Sequence, residues 1–340
     1  MRTLDFLKGD TQLLSTAFEK LPNGAGFRGE FILWSLGGGP TILRRGSYSH
    51  RWQYGGAPHF ALARSARVLF IIDRNAAYHR LLQLDLETGA EREVLRDDRL
   101  LTVATAADGN RVAVVYQRGD VEILEPSTMR RIAVAQLPQS PHWVKFLPDG
   151  RALATAVEME RPPYLVEIRD SDTLAIKKSL EFSFVPLHMT CDWTGDRFIV
   201  ATVENRYYVF AAKHLSCLGS YRRIGGCAVA FAPEGEELAL GLGGRVQTGK
   251  DVLEPQELSL PSPVPKSEAW CVAFSPDGIT LAAGYDNGNG EQIQTLRLCD
   301  SAALRAKALP GHESGRQEPG DCQFRPQRAN LEHGNRPMPP

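Results

Sequence analysis

The sequence predicts an all-β protein, a β-propeller of about seven four-stranded blades. Three observations predict it. A strand, tight turn, strand pattern recurs along the chain. After a first step of 56 residues, its copies follow one another at steps of 40 to 45, and each copy precedes segments in which apolar and polar residues alternate. The step is that of one propeller blade. The alternation is typical of strands that bury one face.

The hairpin pattern is clearest at residues 273–283, which read Ala-Phe-Ser-Pro-Asp-Gly-Ile-Thr-Leu-Ala-Ala. Pro and Asp-Gly supply the turn, and short apolar runs flank it. Similar segments begin at Phe146 and Phe231, and weaker copies lie between and before them. The residues equivalent to Phe274, termed the motif residues together with it, are Phe6, Leu62, Thr105, Phe146, Cys191 and Phe231.

The spacing of these copies divides the chain into a propeller over residues 1–311 and a tail over 312–340. The first blade begins almost at Met1, and neither end of the chain supplies an evident strand to close the ring. Closure would remove exposed sheet edges. The approximate blades are residues 1–46, 47–97, 98–138, 139–182, 183–222, 223–265 and 266–311.

The tail at 312–340 contains few apolar residues, so it cannot bury enough surface to order itself. Two interpretations stay open, a natural disordered tail and the product of a frameshift. The codons of residues 322–331, read one base later, permit another copy of the hairpin pattern. Resequencing the gene around His312 distinguishes the two.

Composition excludes several classes. The 39 basic and 40 acidic residues form no block of like charge, which argues against a general nucleic-acid binder. No uninterrupted apolar stretch predicts a signal peptide or a membrane helix. The six cysteines include no C-x-x-C pair, so they are expected to be free thiols in a reducing compartment, the cytoplasm.

The hairpin pattern F-S-P-D-G-x-x-L-A, followed by a strand ending in Asp or Ser-x-x-Thr, resembles the WD-repeat family over roughly residues 1–311. The Gly-His and Trp-Asp signatures of that family survive only in part, at Gly311-His312 and Leu33-Trp34-Ser35. Degenerate propellers of bacterial type are therefore an equally close match. The resemblance implies a non-catalytic scaffold that presents loops to a protein or peptide.

The alternative function is enzymatic. Propellers similar to this one include lactonases and cofactor-binding oxidoreductases with polar residues at the central channel. A gene remnant without function is the third hypothesis. The sequence predicts no catalytic residue, no cofactor and no metal site: the eight histidines do not cluster, and no G-x-S-x-G motif is present.

Residues 244–251, Gly-Arg-Val-Gln-Thr-Gly-Lys-Asp, nearly match a phosphate-binding loop. Asp251 replaces the hydroxyl residue, and Pro255 and Pro261 prevent a following helix. The segment is therefore expected to be a long solvated loop between the second and third strands of the sixth blade.

Aromatic residues give the best indication of a binding face. Trp143 and Trp270 occupy nearly equivalent places before their motif residues, and two further aromatics precede the second blade. Such side chains dominate interface hot spots, although large aromatics also commonly pack in the core, here between adjacent blades. The predicted partner-binding residues are Trp52, Tyr54, His142, Trp143, His188 and Trp270.

Overall fold

The fold is seen in a computed structural model of the chain. The residues that it describes are 3–7, 11–20, 27–36, 41–50, 60–64, 66–74, 79–137, 141–147, 149–157, 161–192, 194–204, 206–222, 228–233, 237–242, 245–249, 258–261, 268–286, 291–297 and 327–330.

The described residues form seven four-stranded antiparallel sheets, and the predicted all-β propeller with four-stranded blades is confirmed. Sheet one comprises β1 Thr3–Phe6, β2 Gln12–Lys20, β3 Phe27–Ser35 and β4 Thr41–His50, and sheet two comprises β5 Phe60–Ala63, β6 Val68–Arg74, β7 His79–Asp85 and β8 Glu91–Arg96. Sheet three comprises β9 Leu100–Thr105, β10 Val112–Tyr116, β11 Asp120–Leu124 and β12 Arg131–Gln136, with a 3₁₀ turn at Gln117–Gly119.

The other four sheets follow the same order. Sheets four and five comprise β13 Pro141–Phe146, β14 Ala152–Val157, β15 Tyr164–Asp170 and β16 Ile176–Phe182; and β17 Pro186–Cys191, β18 Arg197–Thr202, β19 Arg206–Ala211 and β20 Ser216–Arg222. Sheets six and seven comprise β21 Ala228–Phe231, β22 Leu238–Leu242, β23 Arg245–Gly249 and β24 Leu258–Pro261; and β25 Glu268–Phe274, β26 Thr280–Asp286, β27 Glu291–Arg297 and β28 Gln327–Asn330. The strand β28, which pairs with β27, is the described part of the segment 312–340.

The first strand of each sheet is its inner strand. The inner strands contact one another in sequence from β5 through β9, β13, β17 and β21 to β25, and β25 contacts β1. Contact between the first and last sheets closes the ring around a central channel. The inner strands therefore form the channel wall.

Apolar clusters between neighbouring sheets stabilise the ring. Seven clusters occur among the described residues, and each combines two adjacent sheets. The cluster that includes Leu4, Phe6 and Trp34 of sheet one also contains Cys271 and Ala273 of sheet seven. Burial of these faces is the main stabilising contribution, and each sheet depends on its two neighbours for it.

The predicted tight turns are present between the first and second strands. Gly109, Gly150 and Gly278 have φ values of 74°, 65° and 71°, a left-handed conformation that glycine adopts without steric cost. The preceding aspartate accepts a hydrogen bond from the amide two residues on, as Asp149 does from Arg151 at 2.9 Å. The motif residues Phe146, Phe231 and Phe274 each pair directly with a leucine that is the first or second residue of the second strand.

The outer strands of sheets one to five each contain a β-bulge. In sheet one, Leu33 pairs with Arg44 and Trp34 pairs with Ile42, which leaves Leu43 as the additional residue. Bulges interrupt the edge that a foreign strand would pair with. The rim of these five sheets is therefore a poor site for strand addition. The additional residues in sheets two to five are Val94, Ile132, Lys177 and Leu218.

The prediction of a loop at residues 244–251 is wrong for most of this segment. Arg245–Gly249 forms the third strand of sheet six, paired with Leu238–Leu242 on one side and with Leu258–Pro261 on the other. Val246 is completely buried. The alternation of Val246 and Thr248 with other residues is compatible with a strand. A strand that is paired on both sides cannot wrap around a phosphate.

Trp34 is expected to stabilise sheet one through a buried hydrogen bond. Its indole N–H donates to Ser15 Oγ at 2.9 Å. Trp34→Phe removes the donor and is expected to lower the free energy of unfolding by about 1 kcal/mol, measured by urea denaturation. Ser15→Ala is the matched variant, and the double variant should cost less than the sum of the two. Additive losses would show that the bond contributes nothing.

Candidate functional site

The predicted partner-binding residues fall mostly on inner strands. Trp52 and Tyr54 lie outside the described residues. His142 and Trp143 lie on β13 and Trp270 lies on β25. The remaining member, His188, lies on β17.

A β-bulge recurs at one position of the inner strands. In sheet four, Pro141 pairs with Val157 and Trp143 pairs with Ala156, so His142 is an additional residue. The same shift occurs four residues before the motif residue in sheets three, five and seven. Bulges redirect side chains and are frequent beside binding sites. The additional residues are Leu101, His142, Leu187 and Trp270.

Two of the predicted residues are therefore equivalent, because His142 and Trp270 both lie at this bulge. The inner strands of sheets one, two and six are not described at the same position. Backbone carbonyls near the bulges accept hydrogen bonds from the preceding sheet. The Arg74 guanidinium donates to the Leu101 carbonyl, and the Trp143 indole N–H donates to the Pro186 carbonyl at 3.0 Å. These bonds hold the bulged backbones against the neighbouring sheets.

Trp143 is a core residue in this structure. Its surface is only 6% exposed, and it packs in the cluster between sheets four and five with Leu147, Met189 and Phe198. Its ring is not part of the protein surface. Packing between adjacent blades was the alternative interpretation of these aromatic residues. The position of Trp143 agrees with that interpretation.

His188 lies at the position equivalent to Trp143 in the next sheet. Its Nδ1 atom is buried and has no hydrogen-bond partner among the described residues. Burial, with a smaller contribution from the charge of Lys145, lowers the pKa of His188 to about 3. The imidazole is therefore neutral near pH 7, and its buried Nδ1 atom carries an uncompensated desolvation cost.

Exposed apolar side chains surround the bulge of sheet five. Leu187, the additional residue, is 44% exposed, and Val203, in the turn after β18, is 45% exposed. The Val203 amide donates to the Val185 carbonyl at 3.0 Å, which ties the turn to the segment that enters β17. The Arg206 guanidinium lies 6.0 Å from the centre of the Phe184 ring. These four residues, Phe184, Leu187, Val203 and Arg206, are termed the sheet-five patch.

The sheet-five patch was not predicted from the sequence. The bulge position could have identified Leu187 from the sequence. It lies four residues before each motif residue, and the residues at that position include Leu187, His142 and Trp270. Val203 gives no comparable signal. It lies in the turn after β18, outside the repeated pattern.

No group of three or more His, Cys, Asp or Glu residues that could hold a metal ion occurs in the described part of the chain. A cavity of about 300 Å³ lies between sheets two and three, where Phe70, Gln83 and Glu125 contribute to its lining. It contains none of the predicted residues. No helix among the described residues has the length and apolarity needed to cross a bilayer.

The fold and the inner-strand geometry define the class of this protein as a β-propeller. No protein-family model matches the chain, and no curated protein matches it by sequence. Among solved structures, the chain is similar to hydrazine synthase of Kuenenia stuttgartiensis, with a TM-score of 0.62 and 15% identity over 87% of this chain and 94% of that one. At this identity the similarity shows the fold alone.

Proposed function

We propose that this protein is a non-catalytic scaffold that presents the bulged face of its inner strands to a protein or peptide. The sheet-five patch carries the proposal. Leu187 and Val203 are each nearly half exposed and lie beside a repeated bulge. Exposed apolar residues that occur together on a rigid frame favour a partner interface.

The distribution of bulges supports this choice of face. The outer strands of sheets one to five are interrupted, which disfavours pairing with a partner strand at the rim. The inner-strand bulges instead place an additional residue at the same position of sheets three, four, five and seven, and Leu187 of sheet five is exposed there. A partner that binds at Leu187 would do so at low entropic cost, because the frame is already ordered.

We also propose that the chain is a degenerate WD-repeat propeller of the cytoplasm. Trp34 lies on the third strand of sheet one, where that family carries its closing Trp, and its bond to Ser15 joins the second and third strands as an internal network would. The free thiols of Cys191 and Cys217 favour a reducing compartment.

The test compares two double variants of the full chain. In Leu187→Glu with Val203→Glu, two desolvated apolar contacts would be replaced by charges. The control places the same charges at Val134 and Leu218, which are 56% and 55% exposed on outer strands. Partners are captured from a lysate of the source organism and titrated as purified proteins. We expect the patch variant to bind at least tenfold more weakly, about 1.4 kcal/mol, and the control to bind normally.

Two results would count against the scaffold. Equal affinity of both variants would place the interface elsewhere, and the absence of any partner of the wild-type chain would favour the alternative, an enzyme with a site at the central channel. Near-native circular dichroism of both variants is required before either result is interpreted.

A further inference from the structure

The sheet-five patch contains an arginine whose charge the fold does not balance. The guanidinium of Arg206 lies 6.0 Å from the centre of the Phe184 ring. Its buried Nε–H has no hydrogen-bond partner in the described part of the chain, and no ion pair of Arg206 occurs there. A buried donor without a partner keeps the cost of its desolvation. Arg206 therefore retains both a charge and donors that a partner can use.

Strand pairing places a second arginine directly opposite Arg206. Arg206 on β19 and Arg222 on β20 are Cα partners, and residues paired in this way have their side chains on one face of the sheet. Like charges at directly opposite positions are destabilising. Among the described residues, one carboxylate contacts this pair, that of Glu204, which accepts from Arg222 at 3.0 Å. The two arginines therefore share a single negative charge.

The packing of sheet five against sheet four does not explain a cation at this position. Arg206, Tyr208 and Phe210 alternate along one face of β19. The rings of Tyr208 and Phe210 lie 5.0 Å and 6.0 Å from the ring of Phe182, the last residue of sheet four. Arg206 begins this row of side chains, and an apolar residue there would continue the aromatic contacts. The fold therefore does not require the charge of Arg206.

The exposed apolar residues of the patch lie on backbone segments next to this charge. Pro186, directly before Leu187, is the Cα partner of Thr202, directly before Val203. The Thr202 hydroxyl donates to the Arg206 carbonyl at 3.1 Å. These contacts hold the three segments side by side, and Leu187 and Val203 are both nearly half exposed. One partner segment can therefore meet apolar surface and a guanidinium together.

We propose that the sheet-five patch binds an acidic segment of a protein partner, in which an Asp or Glu lies next to an apolar residue, and that Arg206 recognises the carboxylate. This inference rests on the proposed scaffold function and adds the chemistry of the partner. A guanidinium can donate two parallel hydrogen bonds to one carboxylate. The bound carboxylate supplies the second negative charge for Arg206 and Arg222, and Leu187 and Val203 contact its apolar neighbour.

The test uses an array of synthetic peptides with a central Asp or Glu between apolar residues and varied residues outside them. A matched array carries Asn for Asp and Gln for Glu, and capping at both ends leaves the side chain as the source of charge. The full chain is applied to both arrays, and retained peptides are titrated by fluorescence anisotropy. We expect the wild type to bind acidic peptides at least tenfold more tightly than their amide counterparts, and Arg206→Gln to lose this preference.

Arg130→Gln is the matched control. The Arg130 side chain is 68% exposed in the turn before β12 of sheet three, and this variant should keep the wild-type preference. The thermal unfolding midpoint of Arg206→Gln is a second readout that a merely structural arginine would lower. We expect it to equal or exceed the wild-type midpoint, because the substitution removes one of two opposed like charges. A lower midpoint would show that the fold requires Arg206 and would count against the proposal.

The double variant Leu187→Glu with Val203→Glu separates this proposal from the proposed function. If the wild type binds acidic and amide peptides equally and the double variant binds both more weakly, the interface stands and its acidic preference is refuted. If the double variant binds acidic peptides as the wild type does, the interface lies elsewhere and both proposals fail. Retention of no peptide by the wild type overturns the acidic segment alone, and the partner captured from the lysate then tests the scaffold.

Discussion

Glu167→Gln is expected to lower the free energy of unfolding by about 3 kcal/mol, because it leaves a buried guanidinium without its counter-charge. Arg169 and Glu167 are both buried on β15, and the Arg169 Nε–H donates to Glu167 Oε2 at 3.1 Å. A second N–H of Arg169 donates to the Leu174 carbonyl at 2.9 Å. Glutamine keeps the shape of the side chain and removes the charge.

The double variant Glu167→Leu with Arg169→Met is the informative control. Removing both charges relieves the desolvation cost, so its stability should lie within about 1 kcal/mol of the wild type. The exposed pair Glu204 and Arg222, 3.0 Å apart, gives a second comparison, and Glu204→Gln should cost less than about 1 kcal/mol. Urea denaturation gives all four values. A double variant that is less stable than Glu167→Gln would refute the argument.

This ion pair marks a limit of sequence reasoning about the fold. Arg169 pairs with Leu153 in sheet four, as Trp34 pairs with Leu13 in sheet one. Arg169 therefore occupies the position that a tryptophan occupies in sheet one. The alternation of Leu165-Val166-Glu167-Ile168-Arg169 predicts a strand correctly, but it also predicts that Glu167 and Arg169 face solvent. They are buried because both side chains lie on the face that Leu153 and Leu174 share with sheet three.

The hairpins were predictable for a local reason. Pro and Asp-Gly impose a turn through backbone sterics alone, so the pairing of Phe146 with Leu153 and of Phe274 with Leu281 follows from spacing. Ring closure was not predictable, because it depends on contact between β25 and β1, which are far apart in sequence.

The candidate site was predictable only as a region. His142, His188 and Trp270 all lie within inner strands, near the ends at which those strands begin. Four inner strands contain one additional residue, and a one-residue shift changes the face of a side chain. Trp143 is consequently in the core, whereas Leu187 is exposed.

Acidification from pH 7.5 to pH 5 is expected to remove about 2 kcal/mol of stability through His188 alone. The pKa of His188 is about 3 in the folded chain, lowered by burial and then by Lys145, against an ordinary 6.5. The unfolded chain therefore binds the proton more tightly. The stabilising contribution is complete above pH 6.5 and is lost as the pH falls toward 3.

His188→Gln should flatten this part of the pH profile, measured by urea denaturation in half-unit steps without added phosphate or carboxylate. His79 also titrates with a lowered pKa, mainly through burial, so the wild-type profile contains its contribution as well. The difference between wild type and His188→Gln isolates the single imidazole. His214→Gln, at an exposed histidine, is the control and should keep the wild-type slope. If His188→Gln keeps that slope too, His188 is protonated at little cost in the folded chain, and water in the channel must then solvate its charge.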